Sequence, residues 1–392
     1  MKDIKNHQFV QQLIKNGADV YIVGGYVRDH FLNLKSKDID LLVQNLTYTQ
    51  IEKILTKYGK VNLVGESFGV LKFTSLDSTL EYDIALPRKE QKNNQSQNAH
   101  KSFDINSDPF LPVDQDLARR DFTINSMAYW VNKDRIIDPF NGMDDIKNKC
   151  IRPTSPQTFI DDPLRMLRAI QFASRFGFKI EDVTKLSIKI HADKITGIST
   201  ERVLIELDKI YKKGNIKYGL ELLNATTLKT YIAPNSVYDA DNIDKYHTTM
   251  SYFDFILAIF NYETDEFYKY MSKLPDIVYV IKQIHIINKI DNIADARHKL
   301  YQIKTRNSKY FYSLLTSIIF ETNPMLKKIK NTIKDYPYTY NELKISAIDL
   351  RVYGFEGKEL GDKIIEILKL IYKNCLKNKK ETIKQYAQRT GV

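Results

Sequence analysis

The stretch YIVGGYVRDHFLNLKSKDIDLLV, Tyr21 to Val43, decides how the N-terminal part of this chain folds. Tyr21, Ile22 and Val23 form an apolar run that reads as a short buried strand. Gly24 and Gly25 follow as a turn; without Cβ atoms, backbone N–H groups there can lie flat against an anion. Val27 to Leu34 carries apolar residues at roughly helical spacing, with Arg28 and Asp29 on its first turn. A second strand opens with Asp38-Ile39-Asp40 and continues into Leu41, Leu42 and Val43. Alternate residues on a strand share a face, so Asp38 and Asp40 point one way while Ile39 points into the core. Two carboxylates on one rigid face suit two hard cations, and with only oxygen ligands on offer the ion expected is Mg²⁺.

Taken singly, these features are weak. A D-x-D on a strand is more often a turn or a solvated edge, and a glycine pair mostly marks a turn. Together they supply anion-accepting backbone, the cation Arg28 and paired carboxylates within one short unit. That is the equipment for two-metal nucleotidyl transfer from a triphosphate, with Asp38 and Asp40 as catalytic and metal-binding residues.

Outward from this unit the pattern continues as a mixed sheet with helices. Residues 6–16 and 48–58 have helical spacing, Val61 to Phe73 reads as a glycine-punctuated hairpin, and Leu80 to Ile84 reads as a strand with Asp83 near its end. Residues 88–110 are polar with little periodicity and read either as a disordered surface loop or as a mobile loop beside the site. Phe159 to Phe178 reads as a strong helix, with Asp161 and Asp162 at its start and Pro163 in its first turn. Ser199 to Ile210 is another helix. Beyond about residue 213 the chain is helical and rich in Tyr and Lys, with almost no glycine before Gly354. It ends in an amphipathic basic helix or helix pair over Lys358 to Gln388.

Bulk properties narrow the class. The chain has 392 residues, too many for one small core, and 43% hydrophobic residues, so it is globular. A net charge of +11 is compatible with a polyanionic partner, and equally with a base-composition bias. Cys150 and Cys375 lie far apart, which argues against a zinc site or a disulfide scaffold and fits a reducing compartment. The opening MKDIKNHQF has no apolar signal region and no run approaches a membrane span, so a cytoplasmic location is expected.

Two further constellations bear on chemistry. Arg119-Arg120-Asp121 reads either as a charged helix start or as a phosphate clamp, the arginines holding phosphate oxygens in forked geometry while Asp121 and Asn125 bond ribose hydroxyls. Asp162, Arg165 and Arg168 share a helix face. An Asp–Arg pair at this spacing is usually an intrahelical ion pair. A carboxylate accepts and a guanidinium donates, however, so together they can read the Watson–Crick edge of a base without a nucleic-acid template.

At this point the chain resembles the class II tRNA nucleotidyltransferases, the CCA-adding enzymes of the polymerase-β-like superfamily. The resemblance rests on GGYVRD (24–29), DID (38–40), GESFG (65–69), YDIALPRKE (82–90), RRDFTIN (119–125), DPFNGMDDI (138–146), DDPLRMLRA (161–169) and ERVLIEL (201–207), in matching order and spacing over residues 20–210. It implies an α+β nucleotidyltransferase head with a mixed sheet over residues 1–145. An elongated all-helical remainder would follow: a neck (146–213) with the nucleotide-selecting motif, a body (214–300), and a tRNA-binding tail (301–392). It implies that Asp38 and Asp40 bind both metals, that Gly24, Gly25 and Arg28 adjoin the triphosphate, that Arg119 and Arg120 contact the nucleotide with Asp121 near its ribose, and that Asp162 and Arg165 select CTP then ATP in a pocket lined by Arg168. The partners implied are tRNA, through its acceptor and TΨC arms, with CTP and ATP as substrates; the oligomeric state stays open. Asp161 stands where the commoner motif has Glu, and Gln171 where many members have arginine. The two-His-Asp phosphohydrolase motif of larger relatives is absent. Alternatives are a bacterial poly(A) polymerase, a partial CC- or A-adding enzyme and, in a different class, a catalytically silent RNA-binding module. The form of residues 65–69 favours tRNA over poly(A).

Overall fold

The computed structural model describes residues 1–36, 38–64, 70–76, 80–92, 103–233, 255–256, 259–260, 275–288, 290, 292–306, 324–331, 336–337 and 340–391. The chain divides into two compact units, Met1–Ile232 and Ala233–Val392.

The first unit is built on a seven-stranded mixed sheet. The strands are β1 (Asp19–Val23), β2 (Ile39–Gln44), β3 (Gly59–Val64), β4 (Val70–Ser75), β5 (Glu81–Ala85), β8 (Ala128–Trp130) and β9 (Arg135–Ile137), in the order β3-β4-β5-β2-β1-β8-β9. All neighbours are antiparallel except β2 and β5, which run parallel with Asp40 opposite Asp83. A parallel pair requires a crossover. Helix α3 (Tyr48–Leu55) and the β3–β4 hairpin supply it, and a capping box of Thr47 and Gln50 starts α3.

The two faces of β2 set the layers. On one, Phe9 of helix α1 (Gln8–Lys15) packs on Phe73 and Tyr82, ring centres 4.8 and 5.0 Å apart. On the other, Leu42 joins Tyr21, Val23 and Ala128 under Val113 and Leu117 of helix α4 (Val113–Ala118). Asp40 shares that second face, two residues before Leu42. Packing α4 on the sheet therefore delivers Arg119 and Arg120, the residues at its C-terminal end, to the neighbourhood of Asp40. These arginines close a helix rather than open one.

Between β5 and α4, the polar segment 88–110 contains a two-stranded ribbon, β6 (Arg88–Lys92) paired antiparallel with β7 (Phe103–Ser107). The sequence shows no such strands because a ribbon held by backbone pairing needs no apolar alternation. Residues 93–102 and the hairpin turn 65–69 lie outside the described residues.

The helical part of this unit differs from expectation in one respect. The helix read over 159–178 is two helices, α6 (Thr158–Asp161) and α7 (Leu164–Phe176), broken at Asp162 because the following Pro163 disfavours helical backbone before it. Helix α2 (Gly25–Phe31) caps β1, and α5 (Gly142–Lys147) leads to β10 (Cys150–Ile151), which pairs with β11 (Lys179–Ile180). Helix α8 (Asp182–His191) follows, then α9 (Thr200–Lys213), which packs along α7, and α10 (Ile216–Ala225) and α11 (Leu228–Ile232) complete the unit. α9 buries Val203, Leu207 and Ile210 fully.

The second unit is helical wherever it forms regular structure among the described residues. Helices Pro275–Asn288, Ile293–Arg306, Pro324–Asn331, Ala347–Arg351, Gly357–Tyr372 and Lys380–Thr390 are present. The basic C-terminal segment is thus a helix pair. Its apolar face supplies Leu360, Ile367, Leu368, Ile371, Tyr372, Ile383 and Ala387 to a core shared with Ala294, Leu343 and Leu350. No described helix is long and apolar enough to cross a membrane.

Candidate active site

A cavity of about 470 Å³ opens in the first unit where β1, β2 and the end of α4 meet α7 and α9. Its wall contains Gly24, Gly25, Arg28, Asp40, Arg119, Arg120, Asp121, Asn125, Asp162, Arg165 and Arg168, eleven of the twelve residues singled out from sequence. Asp38, the twelfth, is exposed and lies just before β2. Eight cationic side chains face three carboxylates around this wall, an imbalance that suits a polyphosphate.

Asp40 anchors the floor. Its carboxyl is pushed above the usual carboxylate range, chiefly by burial; the nearby Arg120 opposes this, and the charges of Asp83 and Asp38 add to it. Asp83 stands opposite Asp40 in the β2–β5 register and is salt-bridged to Lys72 at 3.2 Å. A crowd of carboxylates under this electrostatic pressure fits a divalent cation, which relieves it. Among the described residues, no group of three or more His, Cys, Asp or Glu side chains is close enough to form a complete cage. Asp38 and Asp40 could hold an ion that takes its other oxygens from substrate and water, as Mg²⁺-type ions do.

Gly24 explains why the turn must be glycine. Its backbone sits at φ +71°, ψ −134°, and a Cβ there would come within 2.9 Å of Arg120 Nη1 and 3.5 Å of Asp40 Oδ2. Gly24→Ala is expected to cost about 1–3 kcal/mol of stability in backbone strain and to displace Arg120. A thermal melt and a nucleotide incorporation assay check both; unchanged values in each would refute this role for the turn.

Arg28 borders the cavity with its donors already engaged. Nε and Nη2 donate to Asp29 Oδ1 (2.8 and 2.5 Å), and Nη1 donates to Asn125 Oδ1 at 2.7 Å. Its guanidinium lies 4.8 Å from the Phe176 ring centre and 5.3 Å from that of Phe172. Asn125 in turn donates Nδ2 to Asp121 Oδ1 at 2.9 Å. Asp121 Oδ2 accepts Nε and Nη2 of Arg168 at 2.9 and 2.7 Å. Burial alone would push the Asp121 carboxyl up, but Arg168, Asn125 and the Phe122 N–H hold it below the usual range. Asp29, Arg28, Asn125, Asp121 and Arg168 thus form one continuous chain of buried polar contacts from α2 to α7. Arg168 extends it to Glu206 of α9, 3.7 Å away.

Arg119 and Arg120 are held by a residue that sequence reading missed. Asp116, fully buried on α4, accepts Nε and Nη2 of Arg119 through Oδ1 (3.0 and 2.8 Å) and Nη2 of Arg120 through Oδ2 (3.0 Å). Arg120 Nε, also buried, has no hydrogen-bond partner among the described residues. The spacing Asp116–Arg119–Arg120 on one helix was the available signal. Lys209, Lys213 and Arg175 of the cavity wall were missed as well, and so was Glu206, which meets Arg168, because only the packing of α9 and α7 brings them there. Arg165 Nη2 donates to the Arg119 carbonyl at 2.9 Å. Asp162 accepts the Leu164 N–H through Oδ1 (3.1 Å) and Nη2 of Arg202 through Oδ2 (2.9 Å).

Known proteins share the sequence that builds this cavity. Residues 20–152 match the family described as the Poly A polymerase head domain, and residues 177–238 match the probable RNA- and SrmB-binding site of polymerase A. Curated relatives include the Multifunctional CCA protein of Xylella fastidiosa, 32% identical over 58% of this chain and 53% of its own length. That of Haemophilus ducreyi is 38% identical over 48% and 44%. Over the head segment the chain is thus similar to these nucleotidyltransferases. It spans about half the length of these curated relatives. Solved structures that share the fold of this chain include two at 22% identity. One is the Bacillus stearothermophilus CCA-adding enzyme in complex with CTP, with a TM-score of 0.68, covering 99% of this chain and 97% of that one. The other is the Thermotoga maritima CCA-adding enzyme complexed with tRNA, with a TM-score of 0.67 over 98% and 93%. Polymerase-β-like nucleotidyltransferases generally use divalent metal ions. Here the matched head segment contributes Asp40 and Asp121 to the cavity, while Asp162 lies beyond it. The segment matching the RNA-binding region contributes Lys209 and Lys213.

Proposed function

We propose that this chain is a CCA-adding tRNA nucleotidyltransferase. It adds C, C and A from CTP and ATP to the 3′ end of tRNA without a template, with Mg²⁺ and with release of pyrophosphate. The observation that carries the reading is the coexistence in one cavity of Asp40 on the floor, a cationic wall for a triphosphate, and an Asp162–Arg165 edge suited to a base. The chain's residues divide the work. Asp38 and Asp40 would hold the metal ions. Arg119 and Arg120, fixed by Asp116, face the phosphates beside the glycine turn, and Arg28 with Asn125 and Asp121 keeps that wall rigid. Bound there, Mg²⁺ lowers the pKa of an attacking hydroxyl and neutralises a leaving pyrophosphate. A second cavity of about 260 Å³ shares Asp40, Arg119 and Arg120 with the first and is also lined by Asp83 and Arg88 over an apolar floor that includes Val23, Leu42 and Ala85. The acceptor end of the RNA would approach Asp40 from that side.

In this reading the head spans 1–145, the neck 146–213, the body 214–300 and the tail 301–392. The helical parts grip the acceptor and TΨC arms through backbone and shape. A cytoplasmic setting follows from the substrates. The test is Mg²⁺-dependent incorporation of labelled CTP and ATP into tRNA lacking its 3′ CCA. The expected product is C, C, A. Runs of A without C would mark a poly(A) polymerase, C without A or A only on tRNA ending in CC would mark a partial enzyme, and no incorporation would leave an RNA-binding module. Because phosphates dominate such contacts, tRNA affinity should fall by about tenfold or more between 50 and 200 mM salt, roughly linearly on logarithmic axes.

A further inference from the structure

Arg202 belongs to the motif ERVLIEL, which has no task in the proposed reaction so far. It projects from the first turn of α9, and its Nη2 donates to Asp162 Oδ2 at 2.9 Å across to the α6–α7 junction. Asp162 itself is in neither helix. Its backbone is extended at φ −136°, ψ 101°, so helix packing does not fix the direction of its carboxylate. Two contacts do so: the Leu164 N–H on Oδ1 and Arg202 on Oδ2. Arg202 is not part of the cavity wall, and its described contact with the site is the one to Asp162.

We propose that Arg202 is a positioning residue: it clamps Asp162 so that the carboxylate presents fixed acceptor lone pairs to the base edge, and thereby sets which bases are accepted. This rests on the nucleotide-selecting role proposed above for the cavity. A carboxylate offers about four lone-pair sites, and the two described contacts leave others facing the cavity. An acceptor held there pairs with an exocyclic amine, as on cytosine and adenine, and repels the carbonyl at the same place on uracil and guanine. A carboxylate free to rotate loses the distinction, because either kind of edge can then be met through water or avoided. Such discrimination by a fixed hydrogen-bonding group exceeds what shape alone supplies.

The test compares wild type, Arg202→Ala, Arg202→Lys, Asp162→Asn and the double variant Asp162→Asn/Arg202→Ala. Each is assayed for kcat/KM with CTP, UTP, ATP and GTP on tRNA lacking CCA, and for binding of the four nucleotides without RNA. The expected result is that Arg202→Ala lowers the CTP:UTP and ATP:GTP ratios by about tenfold or more, that Arg202→Lys recovers part of them, and that removing Arg202 adds little once Asp162 is Asn. An equal fall for all four nucleotides, an unchanged ratio, or additive effects in the double variant would overturn the clamp. If Arg202→Ala fails to fold, Arg202→Lys alone decides, since a lysine keeps the charge but not the planar guanidinium whose Nη2 meets Asp162 Oδ2, and must give an intermediate ratio. If wild type binds CTP and ATP selectively yet adds nothing to tRNA, the proposed function fails and the binding ratios still decide the clamp. If wild type adds C, C and A while the Arg202 variants keep wild-type ratios, the clamp alone fails.

Discussion

Asp40→Asn should lower nucleotide incorporation by about a thousandfold, the scale of removing one electrostatic stabiliser from a reacting centre, while the folded protein becomes more stable. Both parts follow from the same burial. The Asp40 carboxyl is raised above its ordinary value by desolvation and by the charges of Asp83 and Asp38, against the pull of Arg120. A carboxylate with a raised folded-state pKa stabilises nothing at neutral pH. The folded state holds its proton longer than the unfolded chain, so stability is lost as pH rises from the ordinary value through the raised one. Asparagine removes that penalty and keeps the shape. The melting temperature of Asp40→Asn should therefore match wild type at low pH and exceed it at pH 7. Added Mg²⁺ should raise the melting temperature of wild type and leave the variant nearly unmoved. Asp38→Asn should lose activity similarly without the gain in stability, because Asp38 is exposed. Near-normal turnover by either variant would remove Asp38 and Asp40 from the mechanism. This is the expected behaviour of a site whose strain serves function rather than folding.

The second large effect is expected at Asp116→Asn, a residue outside every recognised motif element. Asp116 is fully buried and accepts three side-chain N–H bonds from Arg119 and Arg120, together with the Arg88 backbone N–H at 3.3 Å. Burial would raise its carboxyl, but the two guanidinium groups, Arg120 first, outweigh it and hold the carboxyl below the usual range. Removing one partner of a buried ion pair costs about 3–5 kcal/mol because the other charge is left uncompensated. Both arginines keep some exposure, so the lower end applies. The variant should melt earlier and also show a higher KM for nucleotide, since the arginines facing the phosphates lose their anchor. The pH dependence has the opposite sign to that of Asp40. A depressed carboxyl contributes stability above the ordinary Asp pKa and loses it as pH falls through the depressed value. The gap between wild type and Asp116→Asn should thus close in acid. A variant with both melting temperature and KM intact would show that Arg119 and Arg120 are positioned by something else.

These two residues mark how far the sequence can be read. Asp40 is visible because its meaning is local: a two-residue period on a strand, a neighbouring glycine turn and a cation within one turn of helix. Asp116 is not, although it lies only three and four residues before the arginines it holds. Its importance comes from being sealed under α4 against the sheet, and burial of a polar residue is not encoded in residue type. The polar stretch that forms β6 and β7 likewise reads as a loop, since a ribbon without an apolar face gives no periodic signal. The helix over 159–178 is legible, but its break is masked by the apolar spacing on either side. The signal for the break is Pro163, which restricts the residue before it, and that residue is Asp162. The break matters because it frees the Asp162 carboxylate from the regular geometry of a helix.

Sequence alone therefore determined the opening strand-turn-helix-strand unit, the glycine turn, the paired carboxylates and eleven of the residues that line the cavity, because each depends on contacts within a few residues or on an ordered motif. Tertiary structure decided what those side chains touch. Arg28 faces Asp29 and Asn125 and stacks on Phe172 and Phe176, far along the chain. Arg168 is joined to Asp121, and Asp162 to Arg202 forty residues away. Charge pairing in a folded protein is set by which elements pack, and α9 reaches Asp162 because Val203, Leu207 and Ile210 bury its other face. That packing, and not the motif, selects the partner that aims the carboxylate.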